Sequence, residues 1–305
     1  MLPKVVILLA TFNGLRWLPE QIDSILAQEN VSVRIIALDD ASTDGTREWL
    51  VEQAAADARL TVLPPQGSSG SSAANFYRLI SQVEPTAGEL IAFADQDDVW
   101  RQGKLAKHTA IMTEGGHDGV SSNVMSFDQD GRRALVRKNF PQRRFDYLFE
   151  SPGPGSTFLI TPRLLRLSAD ALERIPTARH IEFHDSLVYA IARAHGWSWN
   201  IDGEPSVDYR QHADNVMGSN IGLRPALARL GMIRGRWLRN HAIGLAQVAI
   251  AVSSAATRPQ LEHVLMLFMS HGLQARLQLV QMAGELRRRP RDRWIIGFLI
   301  AIGIW

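Results

Sequence analysis

Several features are missing from this sequence, and each absence excludes a class of protein. There is no cysteine among the 305 residues, so neither a disulfide framework nor a thiolate metal site can form. The start shows no secretory signal, because Met1–Thr11 is apolar, contains only Lys4 as a charge, and continues into turn-forming residues without a cleavage site. No uncharged run reaches the roughly 20 residues that a membrane-spanning helix needs. We therefore expect a cytoplasmic protein.

The net charge is small, but the charged residues are unevenly distributed. The net charge is +2, yet residues 221–305 contain twelve arginines, no lysine and three acidic residues, a net of +9, which leaves −7 for the rest. An acidic front half suits a site that holds a cation, and a basic tail suits an anionic surface. The acidic front half disfavours a nucleic-acid partner.

Short apolar segments alternate with helical segments in the first hundred residues, as in a mainly parallel α/β domain. The predicted strands are Lys4–Ala10, Val33–Leu38, Arg59–Leu63 and Glu89–Ala94, and helices are predicted near Leu18, over Thr46–Ala56 and over Ala73–Val83. Further strands are predicted at Val120–Phe127 and Thr157–Thr161, and a helix at Asp185–His195. From Arg224 onward three helical stretches follow, interrupted near Arg258-Pro259 and Arg289-Pro290. We predict a domain over residues 1–220 and a helical C-terminal region over residues 221–305.

Polar clusters follow three of the predicted strands, where α/β sheets bind ligands. They are Thr11–Asn13, Asp39–Asp44 and Asp95–Asp98. Carboxylates as close as Asp95 and Asp97 repel each other unless a cation or a proton intervenes, and Mg²⁺ or Mn²⁺ prefers such oxygen ligands. The alternative is an acidic turn in which Asp98 caps the next helix. Asp40 is our candidate for binding ribose or a pyrimidine, and a capped helix start is the alternative there.

Five segments together resemble family 2 glycosyltransferases with the GT-A fold. They are Ala10–Gly14, Leu38–Thr46, Phe93–Trp100, His184-Asp185 and Tyr209–Gly218, within residues 4–220. The segments Asp95–Trp100 (DQDDVW) and Tyr209–His212 (YRQH) are most similar to bacterial rhamnosyltransferase-like members that build surface polysaccharides. The resemblance implies an inverting transfer of a sugar from a nucleotide diphosphate donor.

The resemblance also implies roles for individual residues. The donor would be bound by Thr11, Asn13, Asp40, Asp95 and Arg210. A Mg²⁺ or Mn²⁺ ion would be held by Asp97, Asp95 and His212, with Asp97 the strongest candidate. Asp185 stands at the position of the general base that deprotonates the acceptor hydroxyl.

Three details of this assignment differ from the family pattern or have alternatives. We expect the helix dipole to lower the pKa of Asp185, and a plain N-cap is the alternative role for that residue. His184 stands where the family often has glutamate. The loop Gln66–Ser72 lacks the usual base-contacting residue, for which Asn75 is a substitute candidate.

The C-terminal segment combines arginines with an apolar run. Leu286–Arg293 contains five arginines, and Trp294–Trp305 has twelve residues without charge. Arginine beside an apolar run flanked by tryptophan suits an anionic membrane surface. The alternative is a helix packed on the domain or on a second subunit.

These observations predict an inverting, metal-dependent glycosyltransferase on the cytoplasmic face of a bacterial inner membrane. The donor would be dTDP- or UDP-linked, the sugar rhamnose or a related hexose, and the acceptor lipid-linked or a polysaccharide. A sugar nucleotidyltransferase is one alternative, although Thr11–Arg16 lacks the Gly-rich, basic phosphate loop of that class. A non-catalytic glycan-binding scaffold is another.

Overall fold

The computed structural model describes residues 2–212 and 237–305. The first part forms a mixed sheet flanked by helices, and the second part is helical. Its strands are β1 (Lys4–Thr11), β2 (Ser32–Asp39), β3 (Leu60–Val62), β4 (Glu89–Ala94), β5 (Val99–Trp100), β6 (Gly119–Phe127), β7 (Arg133–Val136), β8 (Leu159–Ile160) and β9 (Trp199–Arg210).

The helices fall into two groups. The first group is α1 (Leu18–Leu26), α2 (Thr46–Ala56), α3 (Ser72–Gln82), α4 (Lys104–Gly115), α5 (Pro162–Arg174) and α6 (His184–His195). The C-terminal group is α7 (Trp237–Val252), α8 (Arg258–Met269), α9 (Leu273–Gln281), α10 (Ala283–Leu286) and α11 (Pro290–Ala301). Short 3₁₀ turns lie at Asp146–Leu148, Gly155–Thr157 and Pro176–His180.

The sheet has a parallel half and a mixed half. Its strand order is β3-β2-β1-β4-β8-β6-β9-β5, with β7 beside β6. The first four strands are mutually parallel. β8 runs antiparallel to β4 and β6, β9 runs parallel to β6, and β5 pairs antiparallel with β9. The predicted α/β architecture is therefore confirmed.

The apolar run of β1 is buried because helices cover both faces of the sheet. Val6 and Leu8 belong to the core formed with α3, α5, α6 and the C-terminal helices. Val5 and Ile7 belong to the core formed with α1, α2 and α4. Successive side chains of a strand point to opposite faces, so a continuous apolar run fits this double burial.

Most predicted element bounds agree with the structure to within a residue or two. The clearest difference is the predicted strand Thr157–Thr161, of which only Leu159–Ile160 is strand, because a 3₁₀ turn occupies Gly155–Thr157. The breaks near Arg258 and Pro290 are present, and the helices also end at Met269 and Gln281. The predicted boundary near residue 220, the helical stretch beginning at Arg224 and the motif's last residues, 213–218, lie outside the described residues.

The C-terminal segment is partly buried and partly exposed. Trp305 packs against Phe149 and Phe268, whereas Trp294 at the start of α11 is 82% exposed. Arg288 is only 1% exposed, so the prediction that this arginine run faces lipid headgroups is wrong for Arg288. Among the described residues, no helix is both long enough and apolar enough to cross a membrane.

Candidate functional site

Three polar strand ends meet at one edge of the sheet, as predicted. β2, β1 and β4 are neighbours, Thr11 lies opposite Asp39, and Leu9 lies opposite Ala94. The residues that follow β2 and β4 therefore flank the end of β1. The pairing of β5 with β9 brings the end of β9, where Arg210 lies, beside the segment that follows β4.

Asp97 and His212 form the closest pair of predicted site residues. The His212 Nε2 atom lies 2.6 Å from Asp97 Oδ2, although the two residues are separated by 115 positions in the chain. Both side chains are largely buried, at 14% and 10% exposure. The imidazole and the carboxylate therefore form a short, largely buried hydrogen bond.

Arg210 lies over the same segment. Its Nε donates to the backbone oxygen of Asp97 at 2.9 Å, and its Nη2 donates to Glu20 Oε2 at 2.5 Å. The guanidinium carbon lies 4.4 Å from the centre of the Trp17 ring and 4.6 Å from that of Phe127. The guanidinium is therefore held by two aromatic rings and a carboxylate.

Trp17 contacts both Arg210 and His212. Its ring also stacks on the imidazole of His212, with centroids 5.8 Å apart and planes 22° apart. Trp17, Glu20 and Phe127 were not among the predicted site residues. The only sequence signal for Trp17 and Glu20 was that they lie within six residues of the end of the Ala10–Gly14 segment. No sequence signal pointed to Phe127.

Asp95 interacts with both Asp97 and the predicted base Asp185. Burial, followed by the charges of Asp97 and Asp185, raises the pKa of Asp95 above its ordinary range. Three carboxylates thus influence one another at this edge. A cation bound there would relieve their repulsion.

Asp98 does not cap a helix, so that alternative is wrong. It is 1% exposed, its Oδ1 accepts a hydrogen bond from the backbone N of Arg210 at 3.3 Å, and α4 begins only at Lys104. Lys104 is itself buried, donates to the backbone oxygen of Ser156, and lies 3.0 Å from the centre of the Trp100 ring. Burial raises the pKa of Asp98 and lowers that of Lys104. These contacts tie Asp98 to the end of β9 and the start of α4 to the 3₁₀ turn at Gly155–Thr157.

The donor set fits a divalent cation held by few protein groups. Within residues 2–212 and 237–305, no three His, Asp or Glu side chains converge as a complete ligand set. Of the three predicted metal ligands, Asp97 and His212 are in direct contact, and Asp95 interacts electrostatically with Asp97. Mg²⁺ commonly takes one or two carboxylates, and substrate phosphates and water fill its other positions.

Thr11 and Asn13 have structural contacts at the predicted nucleotide pocket. The Thr11 hydroxyl donates to Asp39 Oδ1 at 3.0 Å, and Thr11 is 2% exposed. Asn13 Oδ1 accepts the backbone N–H of Thr43 at 2.8 Å, and Asn13 has a φ of 48°. Both side chains therefore fix the loops that follow β1 and β2.

Asp40 is covered by the loop 66–72. It is 5% exposed, accepts a hydrogen bond from the backbone N of Ser69, and lies 3.4 Å from Arg78 Nη1. Arg78 also donates to the backbone oxygen of Gly67 at 2.6 Å, and its role was not predicted. Asn75 is 2% exposed, and its Nδ2 donates to the backbone oxygen of Leu38, so it joins α3 to the end of β2.

Asp185 lies in the first turn of α6 and is not its N-cap. That position belongs to Phe183, so the plain-cap alternative is wrong. Asp185 Oδ1 accepts the backbone N–H of Ser186 at 2.6 Å and the Ser186 hydroxyl at 3.3 Å, and the Ser151 side chain lies nearby. Burial raises the pKa of Asp185, opposed by these hydrogen bonds and by the charge of Lys138. The expected lowering by the helix dipole is therefore wrong, because burial outweighs it.

His184 is a packing residue. Its ring stacks on Phe76 with centroids 3.8 Å apart, and its Nε2 faces Gly155, where a Cβ would lie 2.1 Å from that atom. Burial lowers the pKa of His184 to about 3, which keeps the ring neutral. It thereby fixes the start of α6 and the position of Asp185.

Comparison with known proteins gives consistent matches. Residues 6–172 match Glycosyl transferase family 2. The chain is 33% identical over 299 residues to the dTDP-rhamnosyl transferase RfbG of Shigella flexneri, covering 97% of this chain and 100% of that protein. It is 24% identical over 163 residues to the UDP-Glc:alpha-D-GlcNAc-diphosphoundecaprenol beta-1,3-glucosyltransferase WfgD of Escherichia coli, covering 53% and 61% of the two chains.

A solved structure has the same fold. It is that of S. aureus TarS 1-349 in complex with UDP-GlcNAc, with a TM-score of 0.59 and 17% identity. The match covers 99% of this chain and 81% of that one.

Proposed function

This chain belongs to glycosyl transferase family 2, and we propose that it transfers a deoxyhexose such as rhamnose from a dTDP- or UDP-linked donor, with inversion, to a polysaccharide acceptor on a lipid carrier. The GT-A fold with C-terminal helices agrees with its structural relatives. Because the chain belongs to this family of glycosyltransferases, we no longer favour the two alternatives, a sugar nucleotidyltransferase and a non-catalytic glycan-binding scaffold. The contact between Asp97 and His212, beside Arg210, is the main support for the finer proposal.

On the donor side, Arg210 binds the diphosphate. A guanidinium can form two parallel hydrogen bonds to phosphate oxygens. Its Nη2 now contacts the exposed carboxylate of Glu20, which a diphosphate would replace as the anionic partner. Asp40 and Arg78 lie at the far end of the same edge, where the base and ribose are expected.

Asp97, with His212 and Asp95, holds Mg²⁺ or Mn²⁺ in this proposal. The bound ion would offset the negative charge that develops on the departing diphosphate. The hydrogen bond that Asp97 Oδ2 accepts from His212 Nε2 keeps the carboxylate in a fixed orientation. Trp17, stacked on His212 and Arg210, restricts both side chains.

On the acceptor side, Asp185 is the general base. The acceptor oxygen bonds to the anomeric carbon as the bond from that carbon to the diphosphate oxygen breaks. The diphosphate leaves with the bonding electron pair, and the hydroxyl proton moves to Asp185. A raised pKa makes the carboxylate a stronger base, and such assistance contributes about 10²–10⁴ in rate.

The C-terminal helices bind an anionic membrane surface in this proposal. Of the thirteen large apolar side chains exposed in the described residues, nine lie within residues 266–304, which marks one region of the surface. Arg289 and Arg291 are exposed beside Trp294, so cations flank the apolar face. This combination suits lipids with anionic headgroups. A lipid-linked acceptor would be found at the same surface.

The test of this function is direct. The purified chain is offered a panel of nucleotide sugars, including dTDP-rhamnose and UDP-glucose, with Mg²⁺ or Mn²⁺ and a lipid extract containing diphosphoprenol-linked glycans. We expect acceptor-dependent release of nucleotide diphosphate with one donor class. Release that no donor raises above the enzyme-free background would overturn the proposal.

A further inference from the structure

Arg288 occupies an unusual position for its residue type. It lies between α10 and α11 and, among the described residues, is the largest side chain that is almost fully buried, at 1% exposure. Arginine is rarely buried to this extent unless its charge is paired. Its partners therefore indicate what the buried charge stabilises.

Arg288 contacts the loop of residues 149–154, here called the Ser151 loop. Its backbone N donates to Glu150 Oε1 at 2.6 Å, and its Nη2 donates to the backbone oxygen of Ser151. The preceding Arg287 donates from Nη1 to the backbone oxygen of Phe149 at 3.2 Å. Two consecutive arginines thus bind three consecutive residues of this loop.

The same guanidinium belongs to a buried group of charges. Its Nε lies 3.6 Å from Asp146 Oδ2, and its Nη2 lies 3.5 Å from Glu150 Oε2. Asp146 is completely buried and also pairs with Arg193 of α6 at 3.2 Å. Charge pairs that are removed from water have little freedom to separate, because each partner would be left unpaired. The Ser151 loop is therefore held by two hydrogen bonds from Arg288 and by the ion pair between Arg288 and Glu150.

The other side of the Ser151 loop faces the proposed base. The Ser151 side chain lies near the Asp185 carboxylate, although its hydroxyl donates to the backbone oxygen of Gly153. At the end of the loop, a Cβ on Gly155 would lie 2.1 Å from Nε2 of His184, the residue before Asp185. A single short loop thus connects Arg288 to Asp185.

We propose that Arg288 is a positioning residue for sugar transfer, which holds the Ser151 loop against Asp185 so that the carboxylate points toward the acceptor hydroxyl. This inference rests on the proposed role of Asp185. It assigns to the arginine-rich segment a second role, distinct from membrane contact. An orientation error of about 1 Å at a reacting group lowers the rate by about 100-fold.

Arg193 provides a matched control. It pairs with the same buried Asp146, but its other hydrogen bonds go to the Tyr189 hydroxyl and the backbone oxygen of Arg143. Within the described residues it has no hydrogen bond to the Ser151 loop. Arg→Lys at either position keeps the charge and removes the second arm of the guanidinium. Both variants therefore disturb the buried charges, and only Arg288→Lys also releases the loop.

The first measurement is kinetic and uses the full chain. Wild type, Arg288→Lys and Arg193→Lys are compared with dTDP-rhamnose, Mg²⁺ and a diphosphoprenol-linked glycan acceptor. We expect kcat to fall by about 10- to 100-fold in Arg288→Lys with donor KM unchanged, and to stay within about threefold in Arg193→Lys. Equal kcat in the two variants, or a change confined to donor KM, would overturn the inference.

The second measurement needs no substrate. Hydrogen exchange of the backbone amides of the Ser151 loop (Phe149, Glu150, Ser151 and Gly153) should be faster by about tenfold or more in Arg288→Lys than in Arg193→Lys. Equal exchange in the two variants would overturn the inference even if the wild type proved inactive with every donor. Faster exchange in Arg288→Lys with an inactive wild type would instead support the loop contact and count against the proposed function.

Discussion

The donor side and the acceptor side of this site are held in different ways. Parallel pairing of β1, β2 and β4 brings the donor-side carboxylates to one edge, and the pairing of β5 with β9 adds Arg210 and His212. Asp185 instead depends on a loop fixed by buried charges from the C-terminal segment. The donor side follows from the sheet itself, whereas the acceptor side depends on a contact across 137 residues of chain. Changes on the two sides should therefore affect different kinetic steps.

Removing the base should have the largest effect. Asp185→Asn keeps the shape of the side chain but cannot accept the proton, so we expect kcat to fall about 10²- to 10⁴-fold. Binding of dTDP or UDP with Mg²⁺, measured by calorimetry, should be unchanged. The exposed Asp170→Asn is a control that should have no effect. Full turnover by Asp185→Asn would remove that residue as the base.

A donor-side change should weaken binding as well as rate. Asp97→Asn removes a charged oxygen from the pair with His212, and we expect kcat/KM for the donor to fall roughly 100-fold, with weaker dependence on Mg²⁺ concentration. The turn residue Asp128, mutated to Asn, serves as the matched acid. A Mg²⁺ titration of both variants checks this, and an unchanged curve for Asp97→Asn would exclude it as a ligand.

The membrane proposal concerns neither side of the site directly. Trp294→Ser with Phe298→Ser removes two exposed apolar side chains while leaving Arg288 in place. We expect binding to vesicles of anionic phospholipid to weaken about tenfold or more, with turnover of a water-soluble acceptor unchanged. Deleting the whole tail would be a poorer test, because it also removes Arg288. Unchanged vesicle binding, or a loss of dimers instead, would favour a protein partner.

The smallest expected effect concerns pH. Asp185 must be ionised to act, so kcat falls as the pH drops through the pKa of Asp185. Burial raises this pKa, so the acidic limb lies above the ordinary aspartate pKa of about 3.9. Lys138 opposes the shift, so Lys138→Met should move the limb to higher pH, and we expect kcat measured on the limb at saturating Mg²⁺ to fall about threefold. Lys107→Met, whose ammonium pairs with Asp202, should leave the profile unchanged.

The sequence predicted the donor side well because its signals are local. A continuous apolar run such as β1 suits a strand covered on both faces, and polar residues directly after it must lie at the sheet edge. Asp97 and His212 were grouped through the family resemblance, and their contact at 2.6 Å agrees with that grouping.

The acceptor side was predicted less well because its contacts are distant in sequence. An arginine in an Arg-rich run normally faces solvent, and no local pattern indicates that Arg288 pairs with Asp146 and Glu150. The direction of the Asp185 pKa also depended on burial, which a helix start alone does not reveal. Trp17 was missed for the same reason, since its partners lie at the end of β9.

The stereochemistry of the product tests most directly whether the two sides serve one reaction centre. If Asp185 activates the acceptor on the face opposite the diphosphate bound at Arg210, the reaction is a single displacement. Proton NMR of the first product should then show the anomeric configuration opposite to that of the donor. Retention of the donor's configuration would contradict the account.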